Sequence, residues 1–432
     1  MSDTAKLRIA VVGAGIAALA TAIALKNHPG IDVQIYERAN QLQEIGASIA
    51  LGPNGMRTLE RLGVHEALSD DIAFRNHSGH PMIYRHWQTN EIVSADSSHG
   101  QVDRKHHTSR FYRAHLQESL LAHVDPANIH LGKPFSYVVR REDTERLEIS
   151  FKDGTIATAD ILLGADGISS AVRRHYVPDS VNKWTGWVAF RSVFSAKLLP
   201  QNSDDALEEA NHWWSSERTF FASKLGRNLL TIVGGWYSDP EDPNAPYKDA
   251  VWNSDGDVEV VKALYKDWHP TIRQLIDAAP YVRQYPNTYA SGLDTWIHED
   301  GAVTFAGDAA HAHGDAFAAG GSLALDDAYA FALAILHVYP PGAPKPSRAR
   351  IAEGLCLYEQ TRKSHTDRVL AVVHENNEKT LKRIRVSETD EQLRKRMSSR
   401  QSMAWLQEHD VLGAFETTIG GHLQQIHPQA RL

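Results

Sequence analysis

Gly13-Ala14-Gly15-Ile16-Ala17-Ala18 lies between a β-branched apolar run, residues 7–12, and a stretch of helical apolar spacing. The first glycine permits a tight turn and the second lets backbone approach a pyrophosphate. Small Ala18 lets the helix pack closely on its sheet. The helix N-terminus then offers N–H groups to the anion. Glu37, 22 residues beyond Gly15, stands where a carboxylate takes a ribose hydroxyl. This spacing predicts a dinucleotide site, for either NAD(P) or FAD. A second stretch, "TFAGDAAHAHGDAFAAGGSLALDDA" at 304–328, is built almost entirely of small residues around Gly307-Asp308. Such a run costs conformational entropy, so a ligand is expected close against its backbone. His313 and Asp315 on this loop can relay a proton, and His311 is read as structural. His311-x-His313 lacks a third ligand, so no metal is expected. Arg191 closes "WTGWVAFR" and presents a fork of donors suited to a carboxylate or phenolate. Tyr237 and His212 are further polar candidates. Phe190, Trp213, Trp214, Phe221 and Trp236 can wall an aromatic pocket or belong to an ordinary core.

The elements that must hold these residues follow from periodicity. Strands at 7–12 and 32–38 with the helix between them open the chain as a βαβ unit. An amphipathic helix is expected at 55–68, a polar and strand-poor stretch at 69–104, and a helix at 109–124. Residues 136–167 alternate with period two and read as a β-meander. From 181 to 289 the chain is rich in aromatics and short strands, which indicates a second, mainly antiparallel domain; 245–257 reads as a surface loop. The β/α character returns at 302–306, and beyond about residue 322 the chain is helical and charged.

The chain has 432 residues, 42% apolar and 23% charged, with a net charge of −8. That length exceeds what one core usually holds. The negative charge argues against a general nucleic-acid binder. The single cysteine, Cys356, excludes an internal disulfide framework. No apolar stretch reaches about 18 residues, so no membrane partner is expected. The N-terminus lacks a signal-peptide layout, and a cytoplasmic location is expected. The terminal Ala430-Arg431-Leu432 offers a peroxisomal alternative.

"DILLGADGISSAVR" at 160–173 carries Asp166-Gly167, which a simple NAD dehydrogenase does not need. Together with the first glycine loop, Glu37, Gly307-Asp308 and Arg113 in "FYRAHL", it resembles the single-component FAD aromatic hydroxylases of the p-hydroxybenzoate hydroxylase fold. "GASIALGPNGMRTLERLG" (46–63) and "WTGWVAFR" (184–191) are similar to the salicylate hydroxylase and 6-hydroxynicotinate monooxygenase branch. The resemblance covers about residues 7–375. It implies an α/β fold with a Rossmann-type FAD domain (1–75, 105–180 and 290–345). An inserted antiparallel substrate domain (76–104 and 181–289) and C-terminal helices (346–432) complete it. It implies FAD held by Gly13, Gly15, Ala18, Glu37, Arg38, Ala47, Arg113, Asp166, Gly167, Asp308, Gly320 and Gly321. Arg191, His313, Asp315 and Tyr237 would serve the reaction. NAD(P)H would reduce the flavin, O2 would form a C4a-hydroperoxide, and a small phenolic or aromatic-acid substrate would be hydroxylated, with decarboxylation where the attacked carbon bears a carboxylate. An oxidase or reductase on the same fold, or a phenol hydroxylase of secondary metabolism, is the alternative. A homodimer built on the C-terminal helices is compatible with their charge.

The sequence also departs from that branch. A His and a Tyr four residues apart on one strand correspond to Thr219 and Ser223. Ala50 stands where a histidine can occur. The usual loop proline corresponds to Asp315, and Gln-Gly to Ala319-Gly320. The proton acceptor must therefore lie elsewhere, or the substrate's own acidity must suffice.

Overall fold

Strand Leu7–Val12, buried along its length except at Arg8, forms the middle of a five-stranded parallel sheet. Ile31–Tyr36 and Ile129–His130 extend it on one side, and Ile161–Gly164 and Val303–Phe305 on the other. Burial on both faces explains the near-continuous apolar runs at 7–12, 161–164 and 303–305, whereas Ile31–Tyr36 alternates, with Asp32 and Gln34 half-buried. Helix Ile16–Leu25 packs between this sheet and helix Gly320–Val338 in the larger core. The structure is a computed structural model that describes residues 6–42, 47–200, 207–314, 316–386 and 388–426. Asp315 and the terminal tripeptide therefore lie outside the described residues.

The expected meander is present. Phe135–Arg140, Leu147–Phe151 and Ile156–Ala159 form a three-stranded antiparallel sheet that feeds Ile161–Gly164. Two short strands, Ser48–Leu51 and Ser109–Tyr112, pair antiparallel at the border of the cofactor domain. The stretch expected as helix from 109 thus begins as a strand and turns helical only at Arg113–Leu121, because Phe111 is drawn into the core opposite Ile49. The helix expected at 55–68 runs from Pro53 to Arg61 and yields to a 3-10 turn at His65–Leu68.

The second sheet has eight strands. In spatial order they are Ser254–Gly256, Val282–Ala290, Asn182–Ser195, Leu229–Tyr237, Arg218–Lys224, Asn211–Trp214, Ile83–His86 and Ile92–Ala95. The last two lie in the stretch expected to be strand-poor. They are short, and Ile83–His86, which pairs with Ile92–Ala95, finds its other partner at 211–214, remote in sequence, so local periodicity did not expose them. One face of this sheet packs on helices Val258–Leu264 and Pro270–Asp277. Phe190, Trp213 and Phe220 are buried there, with Trp236 packed against them. Of the expected pocket aromatics, Phe190, Trp213 and Trp236 therefore belong to this core, because alternate strand positions face opposite ways.

The C-terminal part is helical: Arg348–Ile384, Asp390–Ser398, Ala404–Gln407 and Val411–Ile426. Among the described residues one helix, Gly320–Val338, is long and apolar enough to cross a membrane, yet 78% of its apolar window is buried inside the protein. It is the central core helix.

Candidate active site

The first glycine turn is shaped by its neighbours. Gly13 has φ of +102°, and a side chain there would collide with the Ala165 carbonyl. A Cβ on Gly15 would meet nothing within 4 Å, and the helix that follows has no side-chain cap. The turn is thus an open cradle facing free N–H groups, which fits a pyrophosphate. Glu37 lies beside it, its carboxylate accepting from the backbone N–H of Ala14 at 2.9 Å and of Ala39 at 2.8 Å. Ala18 is fully buried, and Arg38 is exposed just beyond Glu37. The Ala47 carbonyl accepts from the Arg113 backbone at 3.0 Å, which ties that arginine to the same rim.

Asp166 and Asp308 sit on two adjoining loops. Asp166 is half-buried and caps helix Ala171–Tyr176, accepting from Ser170 Oγ at 2.5 Å and from the backbone of Ala171 and Val172 at 2.6 and 3.2 Å. Burial pushes this carboxyl up, and those bonds oppose the shift. Gly167 has φ of +77° with open space in front of it. Arg173, 1% exposed, clasps both loops. Its Nη1 donates to the carbonyls of Asp308 and Ala309 at 3.0 and 3.1 Å, and its Nη2 to that of Ile168 at 2.5 Å. Asp308 itself is exposed at the start of a short helix.

Behind Gly307 lies a buried charge network. Asp327 Oδ2 accepts from the Gly307 N–H at 2.8 Å and lies 2.6 Å from His311 Nε2, while its Oδ1 accepts from Arg362 Nε at 2.8 Å. Burial alone would raise the Asp327 pKa, but His311 and Arg362 hold it well below the usual carboxylate range. His311 is therefore structural, as expected from sequence. His313 is also buried, and neither ring nitrogen has a hydrogen-bond partner among the described residues. Its Cε1 would lie 3.4 Å from a Cβ on Gly320. These orphaned nitrogens beside the glycine pair also suit a polar ring in the loop. Gly321 faces Ile49 and Leu51, so the helix start rests against the strand beside Arg113.

The other wall is the free face of the eight-stranded sheet. Register places Tyr84, His212, Phe221, Val233, Arg191 and Arg283 in one lateral row on that face. Thr219, Gly235, Ala189 and Tyr285 form the next row. The two walls meet where Thr231 Oγ1 donates to Ser48 Oγ at 3.0 Å and where the Ala290 N–H donates to the Ala312 carbonyl at 2.9 Å. Arg191 Cζ lies 5.3 Å from the Tyr285 ring. Desolvation brings the Arg191 pKa down to about 10, so it stays charged at neutral pH. It is half-buried on this face.

A glycine cradle with a ribose acid, a clasped second and third loop, and a cationic sheet across the gap describe a flavin site. The profile of the family described as "FAD binding domain" matches residues 6–248. The chain belongs to this family of FAD-dependent monooxygenases. It is 30% identical to 3-amino-4-hydroxybenzoate 2-monooxygenase of Streptomyces cremeus, over 74% of this chain and 76% of that protein. It is 29% identical to 6-hydroxynicotinate 3-monooxygenase of Bordetella bronchiseptica, over 86% of this chain and 91% of that one. A solved salicylate hydroxylase substrate complex shares the fold, with a TM-score of 0.77 over 96% of this chain and 98% of that chain at 23% identity.

The structure sets Gly13 against Asp166, Gly307 against Ala17 of the first helix, Gly320 beside His313 and Gly321 against Ile49 and Leu51, while Arg113 is tied to Ala47, so these loops adjoin. It does not bring Tyr237 to the row of Arg191. Tyr237 lies four residues beyond Val233, beside Trp187 and under Arg383 of the long C-terminal helix. The Ser223 hydroxyl donates to the Lys224 carbonyl at 2.8 Å. Sequence reasoning missed Asp327 and Arg362, which hold the Gly307 loop. The one visible signal was a pair of acids, Asp326-Asp327, inside an otherwise apolar helix.

Proposed function

We propose that this monooxygenase uses NAD(P)H and O2 to hydroxylate a phenolic aromatic acid whose carboxylate is held by Arg191. Bound FAD supplies the electron transfer and oxygen activation that side chains lack. The residues of the cradle hold it: backbone at Gly13 and Gly15 toward the pyrophosphate, Glu37 toward the ribose, Asp308 toward the linking chain. The sheet face then orients the substrate. The observation that supports it is Arg191, a charged guanidinium on the sheet face that meets the 307–321 loop where the Ala290 N–H donates to the Ala312 carbonyl. A carboxylate there gains a charge-assisted, bidentate contact in low dielectric. Tyr285 beside it is already committed, donating to Asn253 Oδ1 at 2.7 Å. Both relatives' names describe ring acids that also carry a hydroxyl or amino group, which supports the reading.

The test is NAD(P)H oxidation by the flavin-loaded protein with a panel of hydroxybenzoates, pyridine acids and phenols, with product masses recorded. Stimulation with one oxygen gained supports hydroxylation, and carbon dioxide lost with it identifies a decarboxylating reaction. Substrate oxidation with no NAD(P)H consumed would favour an oxidase on this fold.

A further inference from the structure

The free face of the eight-stranded sheet is bounded twice along strand Leu229–Tyr237. Thr231 meets the cofactor domain at Ser48, and four residues on, at Gly235, an indole lies across the strand. It belongs to Trp187, and the backbone explains its position. The pairing of Asn182–Ser195 with Val282–Ala290 shifts register between Trp184 and Val188. Within the shift Gly186 has φ of +82°, and a side chain there would collide with the Ser238 carbonyl. A bulge of this kind re-aims the side chain beside it. Trp187 is in register with Tyr237, yet its ring reaches diagonally over Gly235 of that neighbouring strand. A Cβ on Gly235 would lie 2.4 Å from the indole Nε1 and 2.6 Å from Thr219 Oγ1. Only glycine leaves the indole this seat.

The indole stands on the floor and not in the core. Val188 and Phe190 point into the helix-packed side. Trp187 is on the opposite side, half-buried like Thr219, Phe221 and Val233. Its Nε1 is buried with no hydrogen-bond partner among the described residues. An idle buried donor costs free energy until an acceptor reaches it. Beyond the indole the Tyr237 ring follows, with centroids 6.1 Å apart, and Arg383 of the long C-terminal helix lies over that ring at 5.8 Å. The far end of the floor is thereby closed. Thr219 corresponds to a histidine of the salicylate hydroxylase branch, and its small side chain belongs with this wall. A ring at 219 would compete with the indole for the space above Gly235.

We infer that Trp187 determines the size of the substrate: seated on Gly235, it is the end wall that admits one aromatic ring and rejects a second ring fused in line with it. This rests on the reading of the sheet face as the substrate floor, and it asks nothing of Arg191. From Thr231 to Gly235 the floor runs four residues, about 13 Å of backbone, and the side chains at both ends take part of that length. One six-membered ring with its substituents fits what is left. A fused second ring pointing along the strand meets the indole. Such a wall selects by the clash it builds against the larger ligand. A substituent oxygen or ring nitrogen at the near edge of the smaller ligand completes the indole N–H.

The experiment titrates 4-hydroxybenzoate, 6-hydroxynicotinate and 6-hydroxy-2-naphthoate into the flavin-loaded enzyme, read by flavin absorbance and by calorimetry. The wild type is expected to bind at least one of the one-ring acids about tenfold or more tightly than the naphthoate. Trp187→Ala should move that ratio about tenfold or more toward the naphthoate. Trp187→Leu stands in if the alanine variant fails to fold or to hold FAD. Trp187→Phe keeps most of the wall and should keep the wild-type order. Direct contact has its own signature: a bound one-ring acid should perturb an indole band in the ultraviolet difference spectrum of the wild type, and Trp187→Phe should lack that band. A size ratio unmoved by removing the indole overturns the inference and leaves the floor reading standing. So does a naphthoate bound by the wild type as tightly as the one-ring acids, or an indole band that persists in Trp187→Phe. If no ring acid of either size binds the wild type or the variants, the floor reading falls and this inference falls with it.

Discussion

Arg191 and His212 share one row of one sheet face, yet burial treats them oppositely. The arginine keeps its charge at neutral pH, and the imidazole loses its own. Arg191→Met should retain FAD and raise KM for the acid about a hundredfold, as expected for a lost charge-assisted contact of about 3 kcal/mol. The measurement is steady-state NAD(P)H oxidation beside the flavin-to-protein ratio. For His212 the folded pKa of about 3 lies below the unfolded value near 6.5. Between those values the unfolded chain binds a proton that the native chain refuses, so stability falls as pH drops through that window. His365 and His409, lowered by burial to about 2 and 4, act in the same direction. His212→Gln should therefore flatten the fall of Tm between about pH 6 and 4 without abolishing it. At this scale the glycine turn was legible, because Gly13, Gly15 and Glu37 belong to one local motif. The lateral row that joins Arg191 to His212 was not, since it depends on the pairing of strands remote in sequence.

At the scale of elements, the Gly307-Asp308 loop is held from behind. Asp327 on helix Gly320–Val338 and Arg362 on helix Arg348–Ile384 fix the Gly307 N–H, while Arg173 fixes the carbonyls of Asp308 and Ala309. Asp327→Asn leaves the Arg362 guanidinium buried without its carboxylate. It should cost about 3–5 kcal/mol and release FAD, measurable by thermal melting and by flavin fluorescence on heating. The Asp327 pKa is depressed in the fold, so its contribution is present above the unfolded value near 4 and is lost as pH falls below it. Gly307-Asp308 was legible as a site because small residues crowd around it. The network that sets its shape was not, because its members lie on two helices whose crossing is a tertiary fact. Strands Ile83–His86 and Ile92–Ala95 were missed for the same reason: their hydrogen bonds go to Asn211–Trp214 and to each other, and nothing in their own short pattern demands it.

At the scale of the whole molecule, the C-terminal helices back the active site. Phe317, at φ +59° just before helix Gly320–Val338, packs with Leu323, Val369, Val373, Leu406, Met403 and Trp405. Arg368 lies over the Trp405 ring at 3.9 Å. Trp405→Ala removes this support at a distance from the chemistry and should cost about 2–3 kcal/mol. A raised dissociation constant for FAD, with the substrate preference of the reloaded enzyme unchanged, is the expected signature in equilibrium dialysis and turnover assays. The helical character of this region was legible from composition; its service to the loop was not.

The five-stranded sheet takes its edge strand, Val303–Phe305, from beyond the whole substrate sheet, and pairs it with Ile161–Gly164. During synthesis the nucleotide cradle therefore leaves the ribosome unfinished and waits while more than a hundred further residues are added. The substrate sheet waits too, since Ile83–His86 must hold back for Asn211–Trp214. Such non-local closure slows folding and exposes strand edges meanwhile. The cofactor can be gripped only after the last wall arrives. In the growing cell, flavin supply then acts late, as a ligand that draws nearly finished chains into the native state and spares them from aggregation.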